Sequence, residues 1–208
     1  IIGTWVRFDL SQYSWKTGSS QMLRNKNMRW ASNLFHVGIL GLIFGHLIGM
    51  LTPSFIYEIF ITPGQKQIMA SVIGGIAGVL CWIGLAMLLW RRFTDDRISH
   101  TSSFSDKFIL ILLFIQLNLG MISIYFSMGH LDGSTMVKLA GWAQDITIFR
   151  PLQALAKLDG VHVVYQLHMA MGITLIMIFP FTRLIHVISA PVWYLGRRYQ
   201  IVRLKKSQ

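Results

Sequence analysis

The chain has 208 residues, of which 53% are hydrophobic and 13% are charged, and its mean hydropathy is +0.53. This composition is too apolar and too poor in charge for an ordinary soluble domain, and it predicts a membrane protein. The formal net charge of +11 also occurs in nucleic-acid-binding proteins, but the basic residues stand between or after long apolar runs rather than along one exposed face. The lipid bilayer is therefore an expected partner, and nucleic acid is not.

The predicted elements are all helical. The chain opens on an apolar stub, 1 to 6, without an initiator Met, and we interpret this stub as the end of a truncated N-terminal transmembrane helix. Four later segments approach or exceed the roughly 20 residues that cross a bilayer; they lie at about 33 to 52, 68 to 90, 108 to 128 and 161 to 189. Pro180 in the last segment predicts a kink. We expect one all-α integral membrane domain over 1 to 208, with four complete spans, the end of a fifth and a tail at 190 to 208.

A shorter segment with helical periodicity lies between the third and fourth complete spans. Apolar residues recur there at helical spacing, which predicts a short amphipathic helix on the outer surface; they are Met136, Leu139, Ala140, Ala143 and Ile146.

Basic residues divide the connecting segments into two classes. Fifteen of the nineteen lie before the first complete span, after the second or after the fourth. The positive-inside rule places these segments, and so the C-terminus, on the cytoplasmic side of a bacterial or archaeal cytoplasmic (inner) membrane. Arg91 and Arg92, in the loop after the second span, could also dock an acidic partner surface.

Cys81 is the only cysteine, and it lies inside an apolar segment. The chain therefore has neither an internal disulfide nor the four thiolates that an iron–sulfur cluster usually needs. Any such cluster belongs to a partner.

Four histidines lie in apolar segments, His36 and His46 in the first complete span and His168 and His186 in the last. An imidazole in hydrocarbon must satisfy both ring nitrogens within the protein, so these residues are functional-site candidates. Two spans lie between these segments in the chain, so the first and the last complete span cross the membrane in opposite directions and are antiparallel. His46 is then expected to meet His168 near the outer face, and His36 to meet His186 near the inner face. Tilt and the Pro180 kink must absorb the difference between spacings of about 15 and 27 Å.

Two neutral imidazoles in opposite axial positions are what a low-spin b-type haem requires. Zinc or copper would usually take three or four ligands of mixed type, and a transporter would be expected to carry carboxylates in its spans, where this sequence has none. We therefore predict two b-type haems between the first and last complete spans, with irons about 20 Å apart. Buried histidines that only hydrogen-bond between helices, in a haem-free transporter or anchor, are the alternative.

A glycine stripe runs almost opposite His36 in the first complete span. Close helix packing is favoured over room for a porphyrin face; the stripe consists of Gly38, Gly41, Gly45 and Gly49.

Several strings along the chain carry a family resemblance: SSQML (19 to 23), ASNLFHVGILG (31 to 41), GHLIGMLTP (45 to 53), GVLC (78 to 81), LDGS (131 to 134), GWAQ (141 to 144), LDGV (158 to 161), FPFTRLIH (179 to 186) and PVWYLGRRYQ (191 to 200). Together they resemble the gamma, cytochrome b subunit of respiratory membrane-bound nitrate reductase over essentially the whole chain. The segments 91 to 105 and 146 to 157 match that family weakly.

The resemblance implies a function and its residues. His46 and His168 would bind the outer, distal haem, and His36 and His186 the inner, proximal one. Lys66 in the outer loop matches a lysine that the family places beside the quinol pocket at the distal haem, and a solvated loop lysine is the alternative. Arg183, one turn before His186, is expected to pair with a propionate of the proximal haem.

In such a subunit, menaquinol or ubiquinol is oxidised near the outer face, and the electrons pass through both haems to an iron–sulfur beta subunit and a molybdenum alpha subunit on the cytoplasmic side. Nitrate would be reduced in a partner chain, in anaerobic respiration or nitrate assimilation, and this chain would do no chemistry beyond electron transfer. An alternative that keeps the two haems and changes only the partner enzyme is the cytochrome b subunit of another quinone-linked oxidoreductase, such as a formate dehydrogenase, a hydrogenase or a sulfur-metabolism complex.

Overall fold

The computed structural model describes residues 2–11, 27–188 and 196, which form helices and turns without a strand. Numbered in chain order, the helices are α1 Ile2–Ser11, α2 Met28–Leu51, α3 Ser54–Tyr57, α4 Pro63–Thr94, α5 Asp96–Thr101, α6 Phe104–Met128, α7 Ser134–Thr147, α8 Pro151–Ala156 and α9 Val163–Ile178. Two 3-10 turns, Phe179–Phe181 and Arg183–Val187, follow α9. The predicted tail at 190 to 208, Gly196 excepted, and the motif at 19 to 23 lie outside the described residues.

Four segments are long and apolar enough to cross a membrane, namely α2, α4, α6 and Val163–Phe181. The protein is therefore a multi-pass membrane protein whose described residues are all-helical in their regular structure. Two of these helices begin earlier than their apolar runs, because polar residues cap them. In α4, Thr62 Oγ1 accepts from the Gln65 N–H (3.3 Å) and Gln65 Oε1 accepts from the Thr62 N–H (2.9 Å). Ser103 and Asp106 form the same capping box at the start of α6.

The last predicted span differs most from the structure. Its α-helix ends at Ile178 rather than near 189. Pro180 lacks an N–H and its ring clashes with a preceding carbonyl, so the chain continues in 3-10 turns instead of a kinked α-helix. At the other end of the chain, α1 continues through Ser11 rather than ending at residue 6.

Helices α2 and α4 pack through reciprocal glycines. A methyl group at Gly38 of α2 would overlap the Cys81 backbone, and one at Gly84 of α4 would overlap the Phe35 backbone. Small residues allow such close approach between membrane helices, where van der Waals packing replaces the hydrophobic effect as the driving force. Next to this contact lies the apolar core of α4 and α6, formed by Cys81, Leu85, Leu110 and Leu117.

Polar side chains tie the remaining helices to this core. Gln67 of α4, which is 2% exposed, donates from Nε2 to two carbonyl oxygens at the end of α6, those of Ser127 (2.8 Å) in its last turn and of His130 (2.6 Å) just beyond it. Helix α7 is the expected amphipathic helix, and its Gln144 donates from Nε2 to Met50 O (3.0 Å) at the end of α2. Helix α9 packs against α6. Helices α2 and α9 face each other across this bundle, without the extensive packing that joins α2 to α4 and α6 to α9.

Candidate haem sites between α2 and α9

The histidine-bearing face of α2 is open. Of its 24 residues, only Ala31 and Gly38 are buried, and both lie on the side that contacts α4. His36 and His46 are exposed, whereas His168 and His186 are half-buried. The space between α2 and α9 is therefore bordered by imidazoles.

The four rings meet in two pairs. The ring centroids of His46 and His168, the outer pair, are 6.0 Å apart with an interplanar angle of 43°. Those of His36 and His186, the inner pair, are 6.4 Å apart with an angle of 72°. The first histidine of α2 thus faces the last of the four in the chain, as expected for antiparallel helices. That these residues ligate haem iron stays a prediction.

Each of the four rings is oriented by a backbone carbonyl. His36 Nδ1 lies 2.7 Å from Ser32 O and His46 Nδ1 lies 2.7 Å from Leu42 O, both four residues earlier in α2. His168 Nδ1 lies 3.2 Å from Gln116 O in α6, and His186 Nδ1 lies 2.6 Å from Arg183 O. A carbonyl oxygen only accepts, so Nδ1 carries a proton and donates it, and Nε2 is the nitrogen whose lone pair a neutral imidazole offers to a metal. Metal-binding histidines show this tautomer and this second hydrogen bond.

The spacing of the rings fits one metal atom between each pair. An imidazole nitrogen binds a metal at about 2 Å, so with about 1 Å from that nitrogen to the ring centroid, two opposed imidazoles have centroids about 6 Å apart. Among the described residues, no three His, Cys, Asp or Glu side chains form a metal-binding group. Two imidazoles per site suit the axial positions of a haem.

The glycine stripe of α2 divides into two halves. Gly38 and Gly41 approach α4, the latter with an added methyl 3.3 Å from Ala77 Cβ, whereas methyl groups at Gly45 and Gly49 would meet nothing within 4 Å. The prediction of close packing therefore holds for the first two glycines. Beside His46 the stripe leaves open space, which a flat macrocycle could use.

The inner pair borders a cavity with a strongly basic wall. His36, His186, Arg91, Arg92 and Arg183 all line it, together with apolar residues of α2, α4 and α6. The expectation that Arg91 and Arg92 lie in a loop is wrong, because α4 continues to Thr94 and carries both residues in its last turn. Their guanidinium groups thus lie beside the inner pair, where they favour an anionic ligand.

One carboxylate shares this basic wall. Asp106 lies 3.7 Å from Arg183 Nη1 and 3.8 Å from Arg92 Nη1. Burial lowers the pKa of the Arg183 guanidinium, Arg92 lowers it further, and Asp106 opposes both effects. Arginine remains protonated despite such shifts. Three guanidinium groups against one carboxylate leave the cavity positive.

Lys66 lies in the first turns of α4, not in a solvated loop. Its side chain is buried, with 4% of the residue exposed, and Nζ lies 3.6 Å above the ring centroid of Tyr57. Within the described residues, Nζ has no hydrogen-bond partner. A buried ammonium that lies over an aromatic face and still has hydrogen bonds to donate is suited to bind a polar ligand atom.

Three features of the site escaped sequence analysis. Gln116 supplies the carbonyl that orients His168, and Gly120 makes room for that ring, since an added methyl would lie 3.0 Å from His168 Cε1. Asp106 is the third. Backbone carbonyls leave no sequence signal, but a glycine one helical turn after Gln116 in a packed span is a pattern that could have indicated close contact with a bulky ring.

Comparisons with known proteins agree with this architecture. The family model described as "Nitrate reductase gamma subunit" matches residues 1–205. The chain is 52% identical over 206 residues to the "Respiratory nitrate reductase 2 gamma chain" of Escherichia coli (strain K12), covering 99% of this chain and 91% of that protein.

Two further relatives cover the chain as completely. The "Respiratory nitrate reductase 1 gamma chain" of the same strain is 50% identical over 205 residues, which are 99% of this chain and 91% of that protein. The "Nitrate reductase gamma chain" of Bacillus subtilis (strain 168) is 33% identical over 204 residues, 98% of this chain and 91% of that protein. The chain therefore belongs to the nitrate reductase gamma subunit family.

Proposed function

We propose that this protein is the membrane-anchoring dihaem cytochrome b of a respiratory nitrate reductase. Quinol is oxidised near the outer pair, and electrons leave from the inner pair to partner subunits. The observation that carries this proposal is the presence of two imidazole pairs, 6.0 and 6.4 Å apart between ring centroids, with every Nδ1 held by a carbonyl oxygen.

The residues have separate tasks in binding two b haems. Nε2 of His46 and His168 would ligate one iron, and Nε2 of His36 and His186 the other. The guanidinium groups of Arg183, Arg91 and Arg92 would bind the propionates of the inner haem. When bound, the two haems would supply one-electron transfer across the membrane, and the imidazoles that hold them would leave electron transfer as their role rather than substrate binding.

Lys66 is our candidate for the quinol pocket. Its buried ammonium and the Tyr57 ring beneath it would orient a quinol by a charge-assisted hydrogen bond to one of its oxygens. Oxidation of quinol to quinone releases two electrons and two protons. The electrons would pass to the outer pair and the protons to the outer face.

Electron transfer from the outer to the inner pair also determines where the partner subunits would bind. An iron–sulfur beta subunit would accept electrons at the cytoplasmic face, and a molybdenum alpha subunit would reduce nitrate there. No residue of this chain takes part in the reduction of nitrate.

A redox spectrum of the purified complex tests this assignment. A short-chain quinol analogue should produce a reduced b-type absorption band, and nitrate should then reoxidise it. A b-type band that nitrate leaves reduced would instead indicate the cytochrome of another quinone-linked oxidoreductase. Absence of any b-type band would favour the haem-free alternative.

A further inference from the structure

We propose that Arg7 of α1 is a positioning residue for the inner pair, because it holds the chain break at Pro180 that brings His186 opposite His36. This inference rests on the proposed function, since its readout is the haem that the inner pair would bind.

The end of α9 leaves backbone carbonyls in need of donors. The α-helix stops at Ile178, and Pro180 has no N–H to continue the ladder. Phe179 O is satisfied by the N–H of Thr182 (3.3 Å) and by its Oγ1 (3.1 Å). Thr182 itself is extended, with φ −114° and ψ 175°, and 5% exposed. A buried extended residue at the end of a membrane helix requires donors from another element.

Arg7 supplies those donors from outside the α2, α4, α6 and α9 bundle. Its Nη1 donates to Pro180 O (2.5 Å) and to Thr182 O (3.3 Å), the two carbonyls on either side of Phe181. Hydrogen bonds from a guanidinium are stronger than neutral ones and leave little freedom to the groups they join. The break is therefore held by a side chain 173 residues away in sequence.

Helix α1 also packs directly on the break. A methyl group at Gly3 would lie 3.2 Å from Pro180 Cγ, closer than ordinary van der Waals contact. Gly3 and Arg7 are four residues apart and so share one face of α1. That face thus contacts Pro180 twice, through the proline ring and through its carbonyl.

A short path leads from the break to the inner pair. Thr182 Oγ1 accepts from the Leu184 N–H (3.3 Å) and so caps the turn Arg183–Val187. Within that turn the Nδ1–H of His186 donates to Arg183 O (2.6 Å). The position and plane of the His186 ring follow from this turn, and the turn follows from the backbone that Arg7 holds.

Electron paramagnetic resonance separates this role from general stabilisation. In a low-spin ferric haem with two imidazole ligands, the largest g value rises with the angle between the ring planes. That angle is 72° at the inner pair and 43° at the outer pair. A movement of His186 therefore changes one of two distinguishable signals.

The experiment compares variants of this chain in the purified complex. Arg7→Ala should shift the largest g value of the inner haem and lower the content of that haem severalfold, while the outer signal stays unchanged. Arg7→Lys should retain most of the inner signal, because one ammonium can still donate to Pro180 O. Gly3→Leu should reproduce the shift, because it pushes α1 from Pro180 without removing the guanidinium. Arg29→Ala is the matched control, since Arg29 is exposed and its loss removes the same charge.

The inference is overturned if Arg7→Ala gives the same two signals as Arg29→Ala. Equal loss of both haems in Arg7→Ala and Gly3→Leu would also overturn it, because Arg7 would then serve overall stability only. If Arg7→Ala yields no complex, Arg7→Lys and Gly3→Leu decide by the same signals. A wild-type complex without b-type haem would instead contradict the proposed function itself.

Discussion

Backbone carbonyls, rather than carboxylates, orient the four histidines. His36 and His46 use the carbonyl four residues earlier in their own helix, so α2 alone determines how their rings point. His168 depends on the neighbouring helix, because its acceptor is Gln116 O of α6. A neutral acceptor fixes the tautomer without adding a charge to a low-dielectric region, where an unpaired charge is costly.

Gly120 tests the dependence of His168 on α6. Gly120→Val should displace the ring, since even a methyl group would lie 3.0 Å from His168 Cε1, and the outer haem should be lost more than the inner. Haem content and visible spectra of the purified complex measure this. Gly74→Val is a suitable control, because the nearest atom to a methyl there is a side-chain carbon at 3.9 Å. Unchanged loading of both haems in Gly120→Val would show that His168 does not need this space.

Lys66 tests the quinol pocket. Lys66→Met should lower quinol oxidation about 10- to 100-fold, mainly through KM, because a charge-assisted hydrogen bond contributes about 1.5–3 kcal/mol. The dithionite-reduced spectrum should not change, since Lys66 is no haem ligand. Lys138, an exposed lysine that donates to Asp159 O, provides the control Lys138→Met. Equal steady-state kinetics in the two variants would remove Lys66 from the pocket.

At the scale of elements, the apolar runs predict which segments are helices better than where those helices end. Capping residues such as Thr62 and Ser103 extend α4 and α6 into polar sequence, which hydropathy does not detect. Which histidine pairs with which was predictable. It depends only on whether an even or an odd number of spans separates the two histidine-bearing helices. The end of α9 was not, because a proline is compatible with a kinked helix as well as with a helix end, and the sequence does not reveal that Gly3 of α1 contacts Pro180.

The contact between α2 and α4 gives a prediction at this scale. Gly84→Ala should destabilise the bundle by about 1–3 kcal/mol, since its methyl would overlap the Phe35 backbone. Gly75→Ala in the same helix should be neutral or stabilising, because its methyl meets nothing within 4 Å. Thermal unfolding in detergent compares the two variants. Similar midpoints for both would mean that α2 and α4 are not packed through this glycine.

In the whole molecule, the two histidine pairs lie at different levels along α2 and have different surroundings, because His46 faces α9 whereas His36 faces the turn Arg183–Val187. The inner pair borders a cavity with three guanidinium groups, which suits anionic propionates, and Asp106 offsets only part of that charge. Open space lies beside His46 at Gly45 and Gly49. The two sites should therefore bind separate haems and respond separately to mutation.

The haem content of His46→Ala, measured beside wild type and His162→Ala, tests the central claim most directly. His162 accepts from the Val164 N–H at the start of α9 and belongs to neither pair, so its variant should keep two b-type haems per chain. His46→Ala should lose the outer haem and quinol oxidation while most of the inner signal remains. Equal loss of both haems, or retention of both, would contradict two separate sites.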